Sequence, residues 1–137
     1  MAVIDTIKRY TRTRTWLGHT SRGSLGGEDR AMNVGTDLRS MIDGKILNYS
    51  NAAAGKVTRV THISGIAIEF EHESRYLRTN GTRVKAGEII AESGQTGAAT
   101  GPHVHCHGLR TNGRRRGYHG ALRAIARWEK KHMKGTK

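Results

Sequence analysis

Short runs of alternating apolar and polar residues, divided by glycine, fill the middle of this chain. Lys45-Ile-Leu-Asn-Tyr49, Val57-Thr-Arg-Val-Thr-His62, Ile66-Ala-Ile-Glu-Phe-Glu-His72, Glu88-Ile-Ile-Ala-Glu92 and His103-Val-His-Cys-His107 all carry β-branched or aromatic residues at strand-like spacing. Asn80-Gly81 is a hairpin turn signal. The pattern predicts a mainly β domain over residues 18–109, built as an antiparallel sheet. The flanks differ from it. Residues 1–17 read as an N-terminal arm or short helix, with Ile4 and Ile7 as anchors. Residues 18–29 are glycine-rich and read as loop. In the tail, 110–137, the period changes: Leu122, Ile125 and Trp128 recur at a spacing of three among Arg123, Arg127, Lys130 and Lys131. That spacing predicts a basic amphipathic helix over 117–131.

Length and composition narrow the picture. A chain of 137 residues has the size of one domain with its own core. Its 18 glycines and 35% hydrophobic content suit short strands and turns better than a helical bundle. Cys106 is the lone cysteine, so no internal disulfide forms, and strand alternation turns it away from the flanking histidines as a small buried residue. The N-terminus lacks the apolar run of a signal peptide, and no stretch approaches membrane-spanning length. The net charge of +13 is concentrated toward the two ends and favours polyanionic partners: nucleic acid, teichoic acid or the anionic bacterial wall. A solvated basic surface is the plainer account. With 5% aromatic residues and no groove-reading motif, nucleic acid is a poor candidate partner.

The candidate chemistry lies at the end of the β region. His103, His105 and His107 alternate, which on a strand puts three imidazoles on one face. Imidazole is both a common metal ligand and a base near neutral pH. Catalytic zinc takes three protein ligands, so one strand does not complete the set. His19 and Asp29, in and beside the glycine-rich loop, are the candidate remaining donors with His105, and His103 is the candidate base. A solvated polar strand face is the alternative. His62, His119 and His132 have no motif support, and His107 reads as an exposed strand end or a partner of a ligand.

Two blocks carry a family resemblance. Asp29-Arg-Ala-Met-Asn-Val-Gly-Thr36 followed by Gly44-Lys-Ile46, and Val84-Lys-Ala-Gly-Glu-Ile-Ile-Ala-Glu-Ser-Gly-Gln-Thr-Gly-Ala-Ala-Thr-Gly-Pro-His-Val-His105, resemble the lysostaphin-type zinc metallopeptidases. The second block matches almost position for position. The resemblance implies an antiparallel sheet with a groove, Zn2+ at its floor, and endopeptidase action on peptidoglycan. It makes Asp29 and His105 ligands and His103 a catalytic base or transition-state stabiliser. The family's first ligand falls on Leu25 here, so His19 is expected to take that role, displaced by the glycine-rich insert. A rival register through Asn33 and Asp37 is disfavoured, since asparagine is a weak zinc ligand. The family's Tyr-x-His-Leu segment aligns with Tyr76-Leu-Arg-Thr79, which puts Arg78 in place of a catalytic histidine. Arginine is no base at neutral pH, but it can donate hydrogen bonds to an oxyanion. His72 is the alternative substitute. The 96–101 loop is expected to line the groove.

The expected function is a zinc-dependent peptidoglycan endopeptidase, a phage lysin or virion-associated wall hydrolase. It would reside in the host cytoplasm before lysis or in the virion, with phage structural proteins as candidate partners. The alternative is a catalytically degenerate module that serves a virion or binds the wall.

Overall fold

The computed structural model describes residues 3–21 and 25–133; the extremities of the arm and tail and the middle of the glycine-rich loop lie outside the described residues. The elements run β1 (Arg12–Arg14), α1 (Trp16–Thr20), β2 (Glu28–Ala31), β3 (Asp37–Arg39), β4 (Gly44–Asn51), β5 (Gly55–Thr61), β6 (Ala67–Glu73), β7 (Arg75–Tyr76), β8 (Arg83–Val84), β9 (Ile89–Glu92), β10 (His103–Leu109), β11 (Arg115–Arg116) and α2 (Tyr118–His132). The main sheet has the order β1-β2-β10-β6-β5-β4-β8, with β11 pairing β10 where β2 stops; β3-β9-β7 form a smaller sheet. All of the pairings are antiparallel, as the alternation predicted.

Strand alternation decides what each face of β10 does. Val104 and Cys106 enter the hydrophobic core with Ile68 and Phe70 of β6. Ala121, Leu122 and Ile125 of α2 join the same core. Burying a residue such as Ile125 contributes about 1.5–3 kcal/mol by area, and its predicted helix spacing is what delivers it. The histidines face the opposite side. Cys106 is buried among apolar groups, which pushes its thiol pKa well up.

Ile7 of the arm and Tyr118 of the tail belong to the same core cluster as the β residues. Several expectations change. Gly18, His19 and Thr20 are helical, not loop: the Thr15 side chain caps α1 by accepting from Gly18 N at 3.0 Å. His107 is fully buried, because β10 continues to Leu109 between flanking strands and does not end at 107. His62 docks α2, its Nε2 lying 2.9 Å from Glu129 Oε2. His119 and His132 lie on α2, the latter stacked on Trp128.

Candidate metal centre

Register builds the site. His105 of β10 lies opposite Asp29 of β2, and cross-strand partners share a face. His105 Nδ1 sits 3.1 Å from Asp29 Oδ1. The turn of α1 brings His19 to the same carboxylate, Nε2 to Oδ1 3.0 Å. The His19 and His105 rings meet edge to face at 4.6 Å between centroids. All three residues are buried, and one donor atom from each lies within 4.8 Å of the others. In a tetrahedral zinc site with bonds of about 2.0–2.1 Å, neighbouring donors stand roughly 3.3 Å apart. Two imidazole nitrogens and a carboxylate oxygen at these separations fit that ion. Burial works against the Asp29 charge, but the His105 hydrogen bond and the imidazoles of His103 and His19 hold its pKa below the usual carboxylate value. Burial pushes His105 down to about 4, which keeps the ring neutral, as ligation requires.

The cluster forms the floor of a groove of about 710 Å3. Ala98 to Pro102 supply one wall, and Asn51, Ala53 and Ala54 line it as well. The two loops meet without side chains in between: a Cβ on Gly97, where φ is 74°, would lie 2.3 Å from Gly55 N.

His103 and His72 stand beside the cluster inside the groove. Their rings are 4.9 Å apart, and His103 Nε2 is 3.7 Å from Asp29 Oδ1. Each ring is anchored through Nδ1 to a carbonyl, His103 to Gly101 O at 2.8 Å and His72 to Thr96 O at 2.7 Å. A carbonyl only accepts, so Nδ1 carries the hydrogen in both and Nε2 is left with its lone pair. Burial lowers the His72 pKa.

Arg78 is elsewhere, which corrects the expectation of an oxyanion donor there. Its Nε donates to Ile89 O at 3.0 Å, its guanidinium faces Glu88 at 3.6 Å, and it does not line the groove. His72, the alternative substitute, lines the groove instead. His72 has φ 64°, the sole positive φ among the described non-glycine residues. In a regular strand it would share the core-facing side of Phe70; the left-handed conformation turns it toward the groove.

A further set of buried polar groups, unsuspected from the sequence, backs the cluster. Glu71 and Glu69 of β6 pair with His105 and His107 of β10. His107 Nε2 lies 2.8 Å from Glu69 Oε1. Burial opposes the Glu69 charge, yet hydrogen bonds from His107, Tyr49 and Arg59 together hold its pKa down at about 2. Burial pushes Glu71 up to about 7 despite the neighbouring Arg115. Alternating glutamates in Glu69-Phe-Glu-His72 are the signal that could have pointed to a polar face there.

Comparisons with known proteins agree with this architecture. Residues 23–116 match the family model described as Peptidase family M23. Glycyl-glycine endopeptidase ALE-1 of Staphylococcus capitis is 40% identical over 86 residues, 61% of this chain and 24% of that protein. The catalytic domain of lysostaphin from Staphylococcus simulans superposes with a TM-score of 0.74 at 27% identity, over 90% of this chain and 99% of that domain. A zinc-containing peptidase from Vibrio cholerae gives 0.67 at 30% identity, over 84% of this chain and 37% of the other. The chain spans about a quarter or less of the length of the curated relatives it matches.

Proposed function

The chain belongs to Peptidase family M23, and from that footing we propose that it is a zinc-dependent endopeptidase acting on bacterial peptidoglycan. The observation that carries this reading is the convergence of His19, Asp29 and His105 at the floor of a groove that also holds His72 and His103. His19 Nε2, Asp29 Oδ1 and His105 Nδ1 would hold the ion. A bound zinc ion supplies Lewis acidity toward a carbonyl and makes water ionise near neutral pH. The protein supplies the rest. His103 and His72, with Nδ1 pinned to carbonyls, present Nε2 to the groove, where one takes a proton from the attacking water and, so charged, hands that same proton to the leaving amine. Protonated at Nε2, either ring can also donate a hydrogen bond to the oxyanion. The open groove admits an extended peptide, and its walls limit water.

The finer role follows the charge. A net +13 draws the protein to the anionic wall, in keeping with a phage lysin or virion-associated wall hydrolase that meets the wall on release or on entry. The degenerate-module reading rested on Arg78 replacing a histidine; with His72 in the groove it has no specific support. Elemental analysis of protein purified without added metal should return about one zinc per chain. The same protein should clear a suspension of purified cell walls, and a chelator should stop the clearing. Metal-free protein that clears walls as fast would remove zinc from the mechanism, and zinc-loaded protein that never clears them would remove the substrate.

A further inference from the structure

His105 has two ring nitrogens, and the chemistry above uses one. Nδ1 turns to Asp29, whereas Nε2 is buried and without a hydrogen-bond partner. The backbone presses on it there: a Cβ on Gly27 would stand 2.0 Å from Nε2. The carboxylate that faces it is Glu71, whose Oε1 is 4.0 Å away and whose backbone lies opposite His105 in the β6–β10 ladder. Glu71 is held from its other side by Arg115 of β11, whose Nη2 donates to Oε2 at 3.0 Å. Nη1 of the same guanidinium donates to Gly26 O at 3.0 Å. One side chain thus ties the backbone leading into Asp29 to the carboxylate behind His105.

We propose that Glu71, held by Arg115, is a positioning residue for the metal centre: its carboxylate, 4.0 Å from His105 Nε2, draws in to accept the Nε2 hydrogen when Nδ1 holds the ion, and so fixes the ring. This rests on the zinc reading above. A neutral imidazole that ligates through Nδ1 must carry its hydrogen on Nε2, and a buried N–H needs an acceptor. A carboxylate in that role sets tautomer and orientation and raises ligand basicity.

A second cation is the competing use of the same atoms. Glu71, His105 and His107 also bring donors within 4.8 Å, and His107 Nδ1 has no hydrogen-bond partner. With such an ion bound, the His105 ring would have to bridge two cations, one on each nitrogen. It would also share the Glu71 carboxylate with a guanidinium 3.0 Å away. The fixed positive charge of Arg115 opposes it.

The test measures metal affinity and the ligand field on the full chain. Zinc is titrated in competition with a chromophoric chelator, and the cobalt-substituted protein is read by its visible spectrum. Glu71→Leu should weaken zinc binding about 10–100-fold and shift the cobalt bands. Glu71→Gln keeps an acceptor oxygen and should recover most of the affinity, and Arg115→Gln should fall between Glu71→Gln and Glu71→Leu. A purely structural role would lower the melting temperature of the metal-free variants and leave the cobalt bands in place. The proposal fails if the folded variants bind zinc like the wild type, or if the wild type takes up two zinc ions. Wild-type protein that binds no zinc would overturn the underlying reading as well, so the two failures are distinct.

Discussion

At φ 64° His72 leaves the extended path of β6 and its ring joins His103 on the groove side. That one backbone torsion supplies the second imidazole. His72→Ala and His103→Ala should each slow wall clearing about 10²–10⁴-fold while zinc content stays at the wild-type level. Arg78→Ala should clear walls at the wild-type rate, since Arg78 is engaged with Ile89 O and Glu88 outside the groove. A large loss of rate in Arg78→Ala would reverse this assignment. The alternating histidines of β10 were visible because strand period alone puts them together. His72 was harder to see: an ideal strand aims it at the core, and a left-handed residue has no signature in composition. The reach of His19 rested on backbone freedom in the glycine-rich segment; the structure instead delivers it from a capped helical turn.

The elements divide by how much each depends on its partners. Strands β4, β5, β6, β9 and β10 were legible because each carries its own run of β-branched, aromatic or alternating residues. β2 was not, since Glu28, Asp29 and Arg30 offer no apolar alternation; Arg30 Nη2 on Glu28 Oε2 at 2.6 Å lets those charges be buried. The two-residue strands β7, β8 and β11 exist only through the ladders beside them. Helix α2 was legible from its spacing, but its buried Glu129 was not, because the partner, His62, is remote in sequence. Ile125 is fully buried beneath this helix. Ile125→Ala should cost about 2–5 kcal/mol in denaturant unfolding. Exposed Lys130→Ala should change stability by less than about 0.5 kcal/mol. Equal effects would mean that α2 is held by its charges and not by its apolar stripe.

Over the whole molecule, the groove and the core are two sides of one sheet. The polar side concentrates carboxylates and imidazoles in a chain of net charge +13, so its ionisation bears on folding. Glu69 ordinarily titrates near 4.5 and is held at about 2 in the fold. A depressed carboxylate pKa stabilises above the unfolded value, and that stabilisation fades as pH falls toward the folded value. Wild-type stability should therefore drop between pH 4.5 and about 2 more steeply than that of Glu69→Gln. Parallel pH–denaturation curves for the two proteins would show that Glu69 does not contribute this way. The residues beyond the matched span, Gly117 onward, include the helix that seals the back of β10. Anyone transplanting this domain into a chimeric protein has to choose the splice point accordingly. A junction at Arg116 would wet Val104 and Cys106 from behind, and would unseat the strand that carries His103 and His105 although no histidine had been touched.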